Sequence, residues 1–373
     1  MLGKTSSETD APPPAEAVEH GVIRHRLLRA ASVLGSLQGY IGLILIVAYG
    51  IASQGSVFLD GTNLTNAVGA FASRGILAVG ETLVILTAGI DLSVGSLLGL
   101  ASMTSALMLT THGLNPLQVL AVSMVVGTFF GFLNGAATAW LRIQPFVVTL
   151  AMLSISRGID REVSNNVSVG TQIVGANGKL TPNSDAFQLF GTPGHNLWTN
   201  ISLPVWGHAG VYYPVLAFLV VCIVFQLMLS TTRFGRHIYA VGGNATAARL
   251  SGVNVTLVIV AVYTLSGLLA GFAGPIDAAY SASADPLAGQ TFELDAIAAA
   301  VIGGTSLAGG KGTIVGTLVG ALILTLLDNV LGLNAVSDNL QLVIKGLIVV
   351  FAVVLQRPGL LTGALAVVRR ERG

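Results

Sequence analysis

The chain has 373 residues, of which 53% are hydrophobic and only 9% charged, and its formal net charge is +1. Soluble domains carry about 25% charged residues, so this composition excludes an ordinary soluble enzyme and predicts an integral membrane protein. The small net charge also lacks the basic footprint of a nucleic-acid-binding protein.

The chain begins with a polar, proline-rich segment, and residues 1–30 are predicted to form a disordered cytoplasmic tail. Three arginines, at 24, 26 and 29, then lead into an apolar segment that is long enough to cross a bilayer. Because no clear small-residue cleavage site ends this segment, it is interpreted as a first membrane helix and not as a removed signal peptide.

Apolar runs predict about ten membrane-spanning helices, since a helix needs about 20 apolar residues to cross the hydrocarbon core. The fifth and eighth runs are short and are candidates for broken or re-entrant helices, so an eight-span chain is the alternative. The predicted spans are 31–52, 64–88, 94–111, 117–140, 146–162, 213–230, 256–278, 293–308, 313–333 and 339–356.

Basic residues predict the orientation, because Arg and Lys near span ends favour the cytoplasmic side. The three N-terminal arginines and those in the predicted C-terminal tail, 357–373, place both ends in the cytoplasm. Counting spans from a cytoplasmic N-terminus puts the basic loop 231–255 inside and the stretch 163–212 outside. The sequence thus predicts an all-α polytopic protein with a transmembrane domain over 31–356, an external loop and a central cytoplasmic loop.

Two short stretches resemble each other, namely VGSLLGL at 94–100 and VGTLVGA at 315–321. Each follows a glycine-bearing break, AGIDLS at 88–93 and GGTSLAGGKGT at 303–313. Transporters are often built from internal repeats with broken helices near the substrate path. Small-residue packing patterns that recur by chance are the alternative explanation.

The second break does not match a nucleotide-binding P-loop. Such a loop needs Gly, four residues and then Gly-Lys-Ser/Thr, whereas here Thr305 occupies the first position and Gly312 follows Lys311. The segment is therefore interpreted as a tight turn between membrane helices and as a candidate part of the translocation path. The residues concerned are Gly303, Gly304, Thr305 and Ser306.

Catalytic and metal-binding motifs are absent from the sequence: it has no H-E-x-x-H, no G-x-S-x-G and no paired cysteines. The charged residues within the predicted spans are better candidates for function, because an ionised side chain in a bilayer usually faces a bundle interior or a cavity. Arg74 and Glu81 lie two helical turns apart on one face, and either a structural role or a place on the translocation path is open to them. Asp91 and Ser93 in the first break are predicted to cap the following helix.

The central loop contains a segment with helix-forming and helix-ending signals. Arg233 and Arg236 are predicted to anchor the loop on the cytoplasmic side. After them, Asn244 is a candidate N-cap, two alanines and a leucine favour a helix, and Gly252 ends it. A short helix of small residues between two spans is predicted to dock a partner protein, and an ordinary solvated loop is the alternative.

This loop resembles the EAA loop, Glu-Ala-Ala-x-x-x-Gly, of permease subunits of bacterial ATP-binding-cassette importers. Thr246 occupies the position of the Glu, and Ala247, Ala248 and Gly252 match; Arg249 lies between them. The surrounding TRFGRHIYAVGGN, together with LTAGIDLSVGSLLGL at 86–100 and ELDAIAAAVIGGTSLAGGKGTIVGTLVGALIL at 293–324, resembles the monosaccharide branch of these permeases, typified by ribose and xylose permeases. The resemblance extends over residues 35 to 356.

The resemblance implies a homodimeric, non-catalytic permease of about ten spans in the bacterial inner membrane. It further implies that a cytoplasmic ATPase with two cassettes uses ATP and Mg, while this chain binds no cofactor or metal. A periplasmic or membrane-tethered binding protein would deliver the monosaccharide, most commonly a pentose, and alternating access would carry it across. The loss of the loop Glu at Thr246 implies that contacts with the ATPase differ there in detail.

Two other classes of protein compete with this interpretation. An ion-coupled secondary transporter or channel would need a coupling site, for which Glu81 and Asp91 are the internal candidates. An intramembrane enzyme would need a catalytic set that the sequence does not contain.

Overall fold

The computed structural model describes residues 39–191, 201–203, 207–209 and 212–355. The predicted tails at 1–30 and 357–373, the start of the first predicted span and part of the predicted external loop lie outside these residues. The helices of the first half are α1 (Gly39–Gln54), α2 (Ser56–Leu59), α3 (Gly61–Leu86), α4 (Val94–Thr110), α5 (Pro116–Ala139), α6 (Pro145–Val163) and α7 (Pro182–Gln188). Those of the second half are α8 (Tyr213–Thr231), α9 (Arg233–Gly243), α10 (Ala245–Leu250), α11 (Val255–Tyr280), α12 (Phe292–Ile302), α13 (Ile314–Leu333) and α14 (Asp338–Leu355).

The described strands are short and lie outside the helical bundle. β1 (Val169–Gly170) pairs antiparallel with β4 (Ser283–Ala284), and β2 (Ile201–Leu203) pairs antiparallel with β3 (Gly207–Ala209). Among the described residues, five helices are long and apolar enough to cross a membrane, namely α3, α5, α8, α11 and α13, while α1 and α4 are shorter apolar helices. The chain is therefore an all-α polytopic membrane protein, as its composition predicts.

Local sequence explains where the helices begin. Asn115 and Gln118 form a reciprocal capping box at the start of α5, with Pro116 at the first helical position, where its missing N–H is not needed. Asn254 caps α11 by accepting a hydrogen bond from the Leu257 amide at 3.0 Å. These caps replace bonds that the first turn of a helix cannot make internally.

The predicted span 293–308 is wrong in its extent, because α12 has 11 residues and ends at Ile302. A helix of that length rises about 16 Å, roughly half the thickness of the hydrocarbon core. The chain turns away at Gly303 and Gly304, and Gly304 has a φ of 93°, a left-handed conformation that glycine adopts readily. The glycines thus shorten a helix that its apolar sequence would otherwise extend.

A seam of glycines joins α11 to α5 at the centre of the bundle. Gly127 and Gly131 of α5 face Gly267 and Gly271 of α11 so closely that a Cβ on any of them would meet the backbone of the other helix. Small residues at fixed spacing allow membrane helices to pack through dispersion contacts, which replace the hydrophobic effect as the attractive force within lipid. α11 also packs against α3 and α4, so the buried core is built around it.

The segment that follows α6 folds back onto one end of the bundle. β1 pairs with β4, which follows α11 directly, and the Ser184 hydroxyl of α7 donates to the Thr171 carbonyl at 2.6 Å. α11 starts beside α10 and has 26 residues, which corresponds to about 39 Å along its axis. The paired strands and the short helix α10 therefore lie at opposite ends of the molecule.

Candidate functional site

The central loop 231–255, which is predicted to be cytoplasmic, contains two helices. The two arginines predicted to anchor the loop, Arg233 and Arg236, lie in a helix that was not predicted, α9, at whose start the Thr232 hydroxyl accepts from the Gly235 amide. Arg233 and Arg236 are both exposed. The shorter helix α10 follows as predicted: Asn244 accepts a hydrogen bond from the Ala247 amide at 3.0 Å, and Gly252 ends the turn with a φ of 85°.

Burial divides α10 into an inner and an outer side. Within α10, which the structure describes completely, only Ala248 is buried, at 5% exposure, and it packs into the main core. Leu250 is 85% exposed, which is more than any other large apolar side chain among the described residues. The exposed side chains form what we call the docking face, which consists of Ala245, Thr246, Ala247, Arg249 and Leu250.

The end of α9 touches both glycine-bearing breaks. The Gly310 amide donates to the Leu86 carbonyl at 2.9 Å, so the loop between α12 and α13 is bonded to the end of α3. A Cβ on Gly242 would overlap both this carbonyl and the Gly310 nitrogen, and a Cβ on Gly309 would press against Ala88. We call this meeting of three backbone segments the crossing point; it comprises Leu86–Ala88, Gly242–Gly243 and Gly309–Gly310.

Further bonds fix the crossing point to the surrounding helices. The Tyr239 hydroxyl of α9 donates to the Gly312 carbonyl at 2.8 Å, and the Gln226 side chain of α8 accepts from the Ile314 amide at 3.0 Å. Ala88 has a φ of 63°, a conformation that non-glycine residues adopt infrequently. The structure therefore brings together two breaks that are more than 200 residues apart in the sequence.

The predicted break residues Gly303 to Ser306 lie between the end of α12 and the crossing point. Gly303 packs against the backbone of Gly316 in α13, and Thr305 is fully buried. The Ser306 amide donates to the Lys311 carbonyl at 2.9 Å, which closes the loop. These residues build a tight turn at the cytoplasmic end predicted from the charges; they do not line the large cavity described below.

The prediction that Asp91 and Ser93 cap α4 is wrong in its bonding. Ser93 occupies the N-cap position, but its side chain makes no cap bond to the helix amides. Instead the Ser93 hydroxyl donates to Asp91 Oδ1 at 2.6 Å and accepts from Asn134 Nδ2 at 2.8 Å. Asp91 accepts a local amide, that of Ser93 at 2.9 Å, whereas the Ser93 hydroxyl bonds to Asp91 and to Asn134 of α5, a partner that sequence alone does not reveal.

Glu81 belongs to the same buried network. Its Oε1 atom accepts from the Asp91 amide at 3.1 Å, and the Ser266 hydroxyl of α11 donates to Asp91 Oδ2 at 3.4 Å. Glu81 and Asp91 are both fully buried. The network joins α3, the first break and α11, and it is separate from Arg74 despite the shared helix face.

Arg74 is part of a closed ring of four charges, each on a different helix. Its Nη1 atom lies 3.4 Å from Asp295 of α12 and 3.5 Å from Asp328 of α13. Lys345 of α14 completes the ring, with its Nζ atom 3.3 Å from Asp295 and 2.8 Å from Asp328. Each cation therefore contacts both carboxylates, and the set has no net charge. We call these residues the charge ring; Lys345 was not singled out by the sequence analysis.

The charge ring lines a cavity of about 540 Å³ between α3, α12, α13 and α14. Phe292 lies under the Arg74 guanidinium, with Cζ 4.3 Å from the ring centre, in a cation–π contact. Gln290 and Thr291, which follow the paired strands, also line the cavity. It therefore lies towards the end of the bundle opposite to α10, on the side predicted to be external.

Comparison with known proteins places these features in a family. Residues 63–353 match the family described as branched-chain amino acid transport system / permease component. The ribose import permease protein RbsC of Escherichia coli K12 is 43% identical over 84% of this chain and 91% of its own length.

Two further relatives match over similar lengths. The ribose import permease protein RbsC of Bacillus subtilis is 38% identical over 87% of this chain and 94% of its own length. The xylose transport system permease protein XylH of Haemophilus influenzae is 35% identical over 85% and 96%. No solved structure matches the chain significantly. The chain belongs to the family of transport-system permease components, and the relatives named here are sugar permeases.

Proposed function

We propose that this chain is the membrane-spanning subunit of an ATP-driven importer of a monosaccharide, namely a pentose such as ribose or xylose. The observation that carries the proposal is the similarity to ribose and xylose permeases over at least 84% of the chain. The chain itself does not hydrolyse ATP in this proposal. It acts as a homodimer in the bacterial inner membrane with a cytoplasmic two-cassette ATPase and a periplasmic or tethered sugar-binding protein.

The docking face supports a contact with the ATPase. It presents a leucine that is 85% exposed at the tip of a short helix, and burial of such a side chain against a partner is favourable. The Ala248 side chain, by contrast, packs inward at 5% exposure. A large residue at position 248 would therefore disturb this chain's own core, so Leu250 is the better position for testing the contact.

The crossing point supplies a route for mechanical coupling. In the proposed cycle, closure of the ATPase on ATP moves α9 and α10. The backbone contacts of Gly242 with Leu86 and Gly310 then transmit this displacement to the end of α3 and to the loop between α12 and α13. Both α3 and α12 reach the charge ring near the opposite end. The same helices thus connect the proposed motor contact with the proposed sugar path.

We propose ten spans with both termini in the cytoplasm. The helices α1, α3, α4, α5, α6, α8, α11, α12, α13 and α14 correspond to the ten predicted spans, with α12 as a half-length helix whose crossing is completed by the loop that begins at Gly303. An even number of crossings keeps α9 and α10 on the same side as the arginine-rich ends.

The test compares Leu250→Ser with Leu141→Ser, a matched control. Leu141 is 70% exposed and lies in another loop predicted to be cytoplasmic. With the permease reconstituted in vesicles together with the ATPase and the binding protein, we expect ATP-dependent uptake of radiolabelled pentose. Leu250→Ser should weaken co-purification of the ATPase and lower uptake, whereas Leu141→Ser should change neither. Uptake that persists without the ATPase would contradict the proposal and favour an ion-coupled transporter.

A further inference from the structure

A contribution to stability does not explain why the charge ring is present in this protein. Four ionised side chains lie within a membrane domain, where such residues are expensive and mark functional sites by default. Buried ion pairs contribute little net stability, because desolvation offsets their mutual attraction. Packing alone would be served as well by apolar side chains of similar volume. The ring is therefore better explained by a role in the cavity that it lines.

The ring side chains are only partly covered, so they reach the cavity. Arg74 is 29% exposed, Asp328 is 24% exposed and Lys345 is 14% exposed, while Asp295 at 9% lies deepest. The bonds of Arg74 to its two carboxylates are long, at 3.4 and 3.5 Å, and both use the single atom Nη1. The guanidinium thus retains donor capacity, and Asp328 presents acceptor capacity beside it.

The geometry points to a monosaccharide-binding subsite in this cavity, held by the charge ring, Phe292 and the small residues of α3. This inference rests on the proposed function, since it assigns a place on the path of the transported sugar. The cavity volume of about 540 Å³ falls within the range of small-molecule sites. Ala67 and Ala70 of α3 leave room beside Arg74, while Phe71 and Phe292 supply an apolar wall for the C–H face of a sugar ring.

The charged side chains that line the cavity favour a neutral sugar over charged solutes. Two cations and two carboxylates balance within the ring, and Asp338 also lines the cavity, so an anionic solute would be repelled. A cationic solute would have to compete with Arg74 and Lys345 for the ring carboxylates. A zwitterionic amino acid would have to break ion pairs of the ring to satisfy both of its own charges. A neutral polyol carries hydroxyl groups that donate to Asp328 and accept from Arg74 while the ring stays closed.

The site is expected to bind weakly. Its polar groups already bond to one another, so a hydroxyl group gains only the difference between new and existing bonds. Weak binding suits a subsite on a translocation path, where the sugar must leave again for transport to proceed. The strong binding step belongs to the separate binding protein in the proposed function.

The test measures saturation-transfer NMR of D-ribose and D-xylose on the permease–ATPase complex in nanodiscs, without the binding protein. L-Leucine serves as a probe of an amino-acid site. Titration of the wild-type complex should give a saturable sugar signal with a Kd in the millimolar range, and leucine should give none. Asp328→Asn and Arg74→Gln should weaken the sugar signal at least about tenfold, since each removes a charged hydrogen-bonding partner.

Two further variants separate binding from folding. Ala70→Leu narrows the cavity and leaves all four charges in place, so it should abolish the sugar signal while the thermal midpoint stays unchanged. Asp160→Asn is the matched control, because it removes a fully buried carboxylate that does not line the cavity, and it should retain the signal.

The outcomes distinguish the subsite from the proposed function. Equal sugar signals in wild type, Asp328→Asn and Ala70→Leu would overturn the subsite, as would a leucine signal in place of the sugar signal. Pentose uptake by a wild-type complex that shows no sugar signal would also overturn it while leaving the proposed function intact. Absence of any sugar uptake by the complete, ATP-hydrolysing system would instead refute the proposed function.

Discussion

The amide of Gly310 is hydrogen-bonded to the carbonyl oxygen of Leu86 at 2.9 Å, which joins the loop after α12 directly to the end of α3. Gly242 at the end of α9 fits against both residues. Three segments that are distant in the sequence thus share one backbone contact, next to the helix that carries the docking face.

We expect Gly242→Ala to impair coupling. Its Cβ would overlap the Leu86 carbonyl and the Gly310 nitrogen, so α9 must move away from the crossing point. If the productive arrangement is destabilised by about 1.4 kcal/mol, uptake becomes about tenfold slower.

Gly243→Ala is the control, because a Cβ at that position meets nothing within 4 Å. Uptake and ATPase activity measured in parallel should show hydrolysis that exceeds transport only for Gly242→Ala; equal behaviour of the two variants would refute this role for the crossing point.

The glycine seam gives a stability prediction. A Cβ at Gly131 of α5 would meet the backbone of Tyr263 and Gly267 in α11, and overpacking of this kind costs about 1–3 kcal/mol. Gly131→Ala should therefore lower the thermal midpoint by about 2–6 °C in a fluorescence-based unfolding assay. Gly346→Ala in α14 adds a methyl group where nothing lies within 4 Å, and it should leave the midpoint unchanged. A stable Gly131→Ala variant would show that the seam is looser than described.

The buried network around Asp91 gives a second stability prediction. Ser93→Ala removes the hydroxyl that donates to Asp91 Oδ1 and accepts from Asn134 Nδ2, so Asn134 Nδ2 loses its partner while Asp91 Oδ1 keeps only the Ser93 amide at 2.9 Å. Buried groups left without a partner cost about 1–3 kcal/mol each, so the midpoint should fall by several degrees. Ser230→Ala removes an exposed hydroxyl that bonds only within its own helix, at 2.8 Å to Gln226, and should be nearly neutral. Similar midpoints for both variants would argue against the network as a structural link.

The loop that contains Asp285, at the end of the bundle opposite to α10, gives a prediction about pH dependence. The Ser168 hydroxyl and the Leu287 amide donate to Asp285 at 2.7 Å, and these bonds lower the pKa of that carboxyl. A lowered folded-state pKa stabilises the folded form above the unfolded value, and this contribution is lost as the pH falls through the folded value. The pairing of β1 with β4 should therefore hold at neutral pH and loosen below about pH 4.

Limited proteolysis checks this expectation. Asp285→Asn should increase cleavage within 167–170 and 281–288 at pH 7, and should remove most of the difference between pH 7 and pH 3. Asp185→Asn changes an exposed carboxyl of α7 on the same side and should behave like wild type. Unchanged cleavage in Asp285→Asn would mean that the backbone pairing alone holds the loop.

Local signals allowed much of the fold to be predicted from sequence. The predicted spans lie close to the observed helices. Asn244 caps the start of α10 and Gly252 follows its end, both as expected, because capping depends on neighbours in the chain. The prediction failed where distant segments decide. Asp295 and Lys345 are 50 residues apart, and the charge ring closes only after four helices pack. Ser93 likewise turns to Asn134 because a neighbouring helix offers a partner.

The charge ring also constrains how the chain can be assembled. Arg74 enters the membrane early in synthesis, whereas Asp328 and Lys345 belong to the last two helices. Until those arrive, the arginine lies in the bilayer without its full set of partners, where a charged side chain is costly. A nascent chain that ends before α13 should therefore be degraded faster than one that ends after α14, which pulse-chase labelling can measure. The last helices thus supply the partners of a charge that an early helix brings into the membrane.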